Sequence, residues 1–254
     1  MAIVRKAPDR GYMRGINELR KFMGRKPEFD WHLLNAWEMQ LVDEDFNGDA
    51  LNLDYWAVAN SSGASAADFA QEAGTSNIQG DTGTTDDGAI SIVGPVMYKG
   101  DLNCGMQIKV RIDDPTEYCL ELGFIDAVPG SNAPGVSDVD TPAATFTDGA
   151  VFHIDTDEDL DTFAAVTDGT GLAIQATTLA GSLTNLTAAT WATFRVQLLG
   201  NNAYYWANGQ LVASHVAAIE GGTAVAPWLY CATREANVAR FPEIGRWMIW
   251  QEQD

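Results

Sequence analysis

The alternation of short apolar runs with turn residues constrains the fold of this chain more than any other feature. From Asp43 onward, these runs are separated every 8–15 residues by clusters of Gly, Asn, Asp, Pro or Ser/Thr. Long helical patterns are few, so the sequence predicts an all-β sandwich of antiparallel strands. The predicted strands are 56–59, 89–92, 105–112, 118–126, 150–154, 162–167, 172–176, 191–199, 203–207, 210–216, 226–233 and 245–251.

One hairpin is predicted from its turn residues. Asn208 and Gly209 separate the runs 203–207 and 210–216. Because an Asn-Gly pair favours the two-residue type I′ turn, we expect these two runs to pair antiparallel.

Charge and composition exclude several classes of protein. The chain has 254 residues, a net charge of −20 and 46% hydrophobic residues. The composition supports a sizeable core, whereas the negative charge repels phosphate and argues against a general nucleic-acid binder. No apolar run approaches the ~20 residues that span a bilayer, and the N-terminus lacks a secretory pattern. We therefore expect a soluble protein made in a cytoplasm.

The three cysteines, Cys104, Cys119 and Cys231, are odd in number and widely spaced, which predicts reduced, buried thiols rather than disulfides or a zinc site.

The basic residues are concentrated at the N-terminus. Residues 1–26 carry eight basic and two acidic side chains, a net charge of +6, and the remaining residues carry −26. Such an asymmetry usually concerns partners rather than fold. One interpretation is an arm that docks on an acidic surface of another protein. The other is a solvated helix tethered to the acidic body of its own chain.

We place the arm at residues 1–42 and the sandwich domain at residues 43–254. Apolar residues recur at helical spacing between positions 11 and 24, which predicts a short helix there. Aromatic and arginine side chains are enriched at protein interfaces. The predicted partner-binding residues of the arm are Arg5, Lys6, Arg10, Tyr12, Arg14, Ile16, Leu19, Arg20, Phe22, Met23, Arg25, Trp31 and Trp37.

Two long polar segments, 63–87 and 128–148, interrupt the strand pattern. Loops longer than ~12–15 residues are usually functional or disordered. We expect these two segments to be contact surfaces of the sandwich.

Four carboxylates alternate along one segment and form a weak calcium candidate, namely Asp155, Asp157, Asp159 and Asp161. Oxygen ligands at alternate positions can surround Ca²⁺, as in the D-x-D-x-D-G loop. Here Leu160 stands at the glycine position and Val166 at the position of the closing glutamate. The alternative is a solvated acidic turn. The three histidines are expected to be structural, and no metal or other cofactor is predicted.

Several stretches match a known pattern of core residues. Residues 44–51 lead to Trp56, and the run Trp191, Phe194, Arg195, Val196 precedes the hairpin 204–212. The stretches 106–112, 122–126 and 247–251 complete the set. Together they resemble the concanavalin A-like lectin/glucanase jelly roll, including its W-x-x-F-R-V…Y-x-N-G-x-L-V hairpin. The resemblance implies the fold and does not specify the function.

Laminarinase-type hydrolases of this superfamily carry their carboxylates in an E-x-D-x-x-E strand. The corresponding segment 117–126 lacks that pattern. Glu117 and Glu121 would lie ~13 Å apart along a strand, whereas a retaining mechanism needs ~5–5.5 Å between carboxyl groups. We therefore expect that the protein is not an enzyme.

Residues 123–127 and 151–159 also resemble jelly-roll proteins of tailed-bacteriophage virions. That resemblance implies a decoration (cement) protein on the capsid exterior, which binds and stabilises the major capsid protein lattice through its arm and loops. It also implies self-association, commonly as a trimer, and no nucleic-acid or membrane partner.

The alternative is a carbohydrate-binding lectin-like module or virion adhesin, and a glycoside hydrolase is less favoured. The strand tryptophans could stack on sugars, although packing is their default role; they are Trp191, Trp206, Trp228, Trp247 and Trp250.

Overall fold

Two antiparallel β-sheets face each other in the computed structural model, which confirms the predicted sandwich. The structure describes residues 3–5, 39–46, 51, 53–60, 70–71, 77–129, 133–159, 162–183, 188 and 190–252. The strands in chain order are β1 (Ile3–Arg5), β2 (Met39–Glu44), β3 (Ala57–Asn60), β4 (Ala70–Gln71), β5 (Ile78–Gln79), β6 (Ala89–Val93), β7 (Gly105–Ile112), β8 (Tyr118–Ile125), β9 (Gly149–Asp155), β10 (Thr162–Asp168), β11 (Gln175–Ala180), β12 (Ala192–Leu199), β13 (Asn202–Ala207), β14 (Gln210–His215), β15 (Ala226–Thr233) and β16 (Pro242–Glu252).

The two sheets are built from strands that are distant in sequence. Sheet 1 has the order β1-β2-β16-β7-β12-β13-β14, and β5 joins it by pairing with both β16 and β4. Sheet 2 has the order β11-β10-β9-β8-β15-β6-β3. The last strands of the chain thus lie at the centre of both sheets, β16 between β2 and β7 and β15 between β8 and β6.

Most predicted strands agree with the structure to within three residues at each end. The exception is the predicted strand 172–176, because the chain is still turning there: Gly171 has a φ of 72° and the Leu172 amide donates to the Gly169 carbonyl at 2.8 Å. The strand in this region is β11, which begins at Gln175. The predicted hairpin is confirmed, since Asn208 and Gly209 have φ values of 49° and 79° between the paired strands β13 and β14.

The beginning of the chain is part of sheet 1. Strand β1 pairs antiparallel with β2, with Val4 opposite Val42, and β2 pairs in turn with β16. The predicted boundary between residues 42 and 43 falls inside β2, so the sandwich includes residues that the sequence pattern assigned to the arm. Arg5 lies in β1 opposite Leu41. Both ends of segment 6–38 are therefore attached to the same sheet edge.

The other predicted arm residues lie outside the described part of the chain, as does the predicted helix 11–24. They are Lys6, Arg10, Tyr12, Arg14, Ile16, Leu19, Arg20, Phe22, Met23, Arg25, Trp31 and Trp37.

Aromatic side chains join the two sheets in the interior. The rings of Trp56 and Trp247 stack with centroids 4.5 Å apart. Phe152 of sheet 2 contacts Phe194 and Tyr205 of sheet 1 at 5.2 and 5.1 Å. All five side chains are buried, and such aromatic pairs contribute beyond the area that they bury.

A polar network spans the interior beside this aromatic cluster. The imidazole of His215 is hydrogen-bonded through Nδ1 to Thr167 Oγ1 at 2.7 Å and through Nε2 to Thr177 Oγ1 at 3.0 Å. Thr167 also contacts the Tyr205 hydroxyl, which donates to the Val166 carbonyl at 2.7 Å. A neutral imidazole satisfies every member of this network. Burial lowers the pKa of His215 to about 4.

Acid should destabilise the protein through His215. Because the pKa is about 4 in the folded state and near 6.5 in the unfolded state, only the unfolded state takes up the proton between these values. The unfolding free energy should therefore fall as the pH drops from about 6.5 to 4, by about 1–3 kcal/mol. Urea unfolding at several pH values should show this loss in the wild type but not in His215→Gln. Parallel pH profiles for the two proteins would contradict the assignment.

Candidate functional site

The outer face of sheet 2 is closed by the chain's own residues 133–148, which we call the covering segment. Its apolar side chains Val136, Val139 and Phe146 are buried against the sheet. The sheet contributes small and aromatic residues, among them Trp228 and Tyr230, whose rings stack 6.0 Å apart. A segment predicted to be a contact surface thus packs its apolar side chains inward.

The carboxylate of Glu121 lies at the centre of this closed face and is fully buried. Its Oε2 accepts from the backbone N–H of Gly135 at 2.6 Å and from Trp228 Nε1–H at 3.2 Å. Its Oε1 accepts from the backbone N–H of Val136 at 2.8 Å and lies 2.9 Å from His153 Nδ1. Four donors on three sides compensate the cost of burying this group.

The local sequence of the covering segment explains how it reaches Glu121. A Cβ atom at Gly135 would lie 3.1 Å from Glu121 Oε2 and 3.3 Å from the Phe146 ring, so glycine allows the backbone to approach closely. Asp138 accepts from the amides of Asp140 and Thr141 at 2.6 and 2.8 Å and closes the turn. The two halves of the covering segment pair with each other through the antiparallel Val136–Ala144 bridge.

A thiol, an imidazole and a further carboxylate lie beside Glu121. Strand pairing places Cys119 opposite Asp155 and Glu121 opposite His153. Ligand atoms of Cys119, His153 and Asp155 all lie within 4.8 Å of one another, and the three residues are buried. Burial raises the pKa of the Cys119 thiol well above its usual range, and the charges of Asp155 and Glu121 raise it further.

The calcium candidates do not converge in the described residues. Asp155 turns toward Cys119 and His153, and its Oδ2 accepts from Arg234 Nε and Nη2 at 2.9 and 2.5 Å. Asp159 accepts from the Thr162 hydroxyl at 2.8 Å. The exposed carboxyl of Glu117 forms a hydrogen bond with Asp157 that raises the pKa of Glu117. Asp161 lies outside the described residues.

The outer face of sheet 1 carries cations against aromatic rings. Lys109 Nζ and the Arg111 guanidinium lie 4.7 and 4.8 Å from the Trp191 ring centroid. The Arg195 guanidinium lies 4.1 Å from Trp206 and 5.6 Å from Trp250. Burial lowers the pKa of Arg195 to about 9, which leaves it charged at neutral pH. This aromatic–cation face combines groups that recognise sugars or protein side chains.

The strand tryptophans divide into two groups. Trp228, Trp247 and Trp250 are buried, in accord with a packing role. Trp191 and Trp206 are half-buried on the aromatic–cation face. They are the described tryptophans that keep part of the ring accessible to a ligand.

The fold has many solved counterparts. The catalytic domain of an endo-1,3-β-glucanase (laminarinase) from Thermotoga petrophila RKU-1 matches with a TM-score of 0.57 and 8% identity, over 85% of this chain and 99% of that one. The carbohydrate recognition domain of Emp47p matches with a TM-score of 0.58 and 13% identity, over 87% of this chain and 99% of that one. The Bacillus licheniformis β-glucanase matches with a TM-score of 0.56 and 10% identity, over 83% of this chain and 97% of that one. The chain thus has the concanavalin A-like lectin/glucanase jelly-roll fold, and identities this low show the fold alone.

Sequence comparison adds no family to this result. No protein-family model matches the chain, and no curated protein sequence does either. In the part of the chain that the structure describes, no helix is long and apolar enough to cross a membrane.

Sequence reasoning missed the group around Glu121 because its members meet across strands. His153 was expected to be structural, since no cysteine or histidine stands near it in sequence. The register of β8 against β9 is the signal that would have revealed this group. Positions 119 and 121 share one face of β8, and they lie opposite positions 155 and 153 of β9. The expected burial of Cys104, Cys119 and Cys231 is confirmed.

Glu121 should be essential for stability rather than for chemistry. Removing its carboxylate in Glu121→Ala leaves two backbone amides, an indole and an imidazole unpaired, so we expect a loss of about 3–5 kcal/mol in unfolding free energy. Glu121→Gln should lose about 1–3 kcal/mol, because its NH₂ group faces donors. The control Glu117→Gln, at a half-buried residue outside β8, should change stability by less than about 0.5 kcal/mol. Denaturant unfolding checks all three, and a Glu121→Ala protein as stable as the control would refute the role.

Proposed function

We propose that this protein is a non-catalytic structural protein of a tailed-phage virion, which decorates the capsid and stabilises the major capsid protein lattice. It would act through surface contacts of the sandwich and of the N-terminal arm. The proposal combines the virion resemblance of the sequence with a closed face on sheet 2. A role on the capsid exterior and self-association as a trimer belong to the same proposal.

The closure of sheet 2 over Glu121 is the observation that carries the non-catalytic part. A glycoside hydrolase needs two accessible carboxyl groups within reach of one sugar. Here Glu121 is fully buried and bonded to four donors, whereas Glu117 is half-buried and lies outside β8. A carboxylate enclosed in this way is available for structure and not for a substrate.

The attachment of the arm supports a docking role. Because β1 pairs with β2, segment 6–38 leaves and rejoins the same edge of sheet 1. A segment fixed at both ends loses less conformational entropy on binding than a free tail does. Its arginines can pair with carboxylates of a capsid subunit, and its apolar residues can be buried beneath them.

An exposed apolar patch at one end of the sandwich provides a second contact. The side chains of Leu172, Ile174 and Val216 are 42%, 39% and 66% exposed. The Gln175 side-chain amide donates to the Val216 carbonyl at 2.9 Å, which brings the turn before β11 beside the end of β14. Grouped exposed apolar side chains are typical of protein interaction sites.

Removing the arm while keeping its strand tests the proposal directly. In the variant Δ7–37, an Asn-Gly turn would join Lys6 to Glu38, so that β1 and β2 can still pair. We expect the full chain to co-sediment with shells assembled from the major capsid protein of the same genome. The deletion should weaken this binding roughly tenfold or more, about 1.4 kcal/mol.

Surface variants provide the matched comparison for that experiment. Val216→Asp should also weaken shell binding, while Val96→Asp, which alters a side chain that is 56% exposed and lies outside the patch, should not. A Δ7–37 protein that folds and binds shells undiminished would contradict the role of the arm. A full chain that binds no shell would contradict the virion assignment.

Carbohydrate binding is the second candidate, and the aromatic–cation face favours it. Trp191 and Trp206 are half-buried, and the half-buried Lys109 beside Trp191 could pair with an acidic sugar. On a glycan array, this alternative predicts binding by the wild type that Trp191→Ala and Trp206→Ala abolish. The control Val128→Ala, at an exposed residue that follows strand β8 of sheet 2, should retain binding. The absence of any bound glycan would exclude this candidate.

A further inference from the structure

Three potential metal ligands meet beneath the covering segment. Cys119 lies on β8, and His153 and Asp155 lie on β9; the thiol, the imidazole and a carboxylate oxygen all fall within 4.8 Å of one another. Each residue is at most 1% exposed. The positions 119 and 121 on β8 and 153 and 155 on β9 share one face, because side chains alternate along a strand.

The imidazole of His153 is oriented as in a metal centre. Its Nδ1 is bonded to Glu121 Oε1 at 2.9 Å, and Glu121 is itself held by two backbone amides and an indole. Its Nε2 is buried and has no hydrogen-bond partner in the described structure. A histidine that donates one ring nitrogen to a carboxylate presents the lone pair of the other to a metal. A buried, unpartnered Nε2 is otherwise costly.

Asp155 retains a free coordination position despite its ion pair. Arg234 Nε and Nη2 both bind Oδ2. The other oxygen, Oδ1, accepts only a long 3.3 Å bond from the Asp157 amide among the described contacts. The arginine therefore fixes the carboxylate and leaves Oδ1 able to bind a cation.

The charges in this buried layer favour a divalent cation. Two buried carboxylates, those of Glu121 and Asp155, lie in this layer, and the arginine that pairs with Asp155, Arg234, is shared with the exposed Asp87. A divalent cation that displaces the Cys119 proton adds one net positive charge. This positive charge offsets the buried carboxylates, which the low dielectric of a buried site favours.

We propose that Cys119, His153 and Asp155 bind one zinc ion, with water in the fourth position and Glu121 positioning the histidine. Thiolate and imidazole ligands favour zinc over calcium or magnesium, which prefer oxygen ligands. Zinc bonds of about 2.0–2.3 Å hold ligand atoms close together, and the ligand atoms of these three residues already lie within 4.8 Å of one another. The ion would tie β8 to β9 beneath the covering segment. This assignment departs from the sequence-based expectation of no metal.

Cobalt substitution of the full chain tests the site. Because the ligands are buried, the protein should be refolded under reducing conditions with one equivalent of Co²⁺. We expect a thiolate-to-cobalt charge-transfer band that saturates at one equivalent and disappears when zinc is added. Cys119→Ala should lose this band, and His153→Gln should weaken metal binding by at least about tenfold. Cys231→Ala should keep the band, because this buried cysteine faces the interior between the sheets.

A second measurement does not depend on the folding of any variant. X-ray absorption of the zinc-loaded wild type should show one sulfur together with nitrogen and oxygen ligands. A shell of nitrogen and oxygen alone would overturn the proposal. The same conclusion would follow if the refolded wild type gave no cobalt band, or if Cys231→Ala lost the band and Cys119→Ala kept it.

Discussion

Glu121 brings a negative charge to the centre of an otherwise apolar sheet face, and residues 133–148 fold back over it. The two carboxylate oxygens accept hydrogen bonds from two backbone N–H groups of the covering segment, and Val136, Val139 and Phe146 are buried around that contact. An open face would expose an apolar surface, and a covered face without the carboxylate would leave two backbone amides unpaired. One ionic group and one loop therefore determine the architecture of this side of the sandwich.

Because the covering segment occupies the outer face of sheet 2, a partner would contact other parts of the molecule. The aromatic–cation face lies on sheet 1, and the two ends of segment 6–38 lie on its β1–β2 edge. The exposed patch with Val216 lies where the edge strands β11 and β14 approach each other. The sandwich thus presents an edge, a face and a patch for contacts with a partner, as the proposed lattice-binding role requires.

The fold was largely predictable because alternation and turn chemistry are local signals. The Asn208-Gly209 hairpin and most strands could be placed from sequence. Strand β2 was missed because its pairing with β1 and β16 is entirely long-range. The group of Cys119, Glu121 and His153 could not be placed for the same reason: its chemistry arises from the register of β8 on β9, which no single sequence segment encodes. The inward packing of residues 133–148 likewise depends on a carboxylate distant in sequence.

Hydrogen exchange at the amides of Gly135 and Val136 tests the closed face most directly. Both amides donate to a fully buried carboxylate, so they should exchange as slowly as the amides of the central strands β8 and β15. The Thr170 amide, in the exposed turn before β11, provides the fast reference within the same chain. Exchange at Gly135 and Val136 as fast as at Thr170 would show that the segment does not cover the sheet, and would contradict the account of a closed face, on which the proposed non-catalytic role rests.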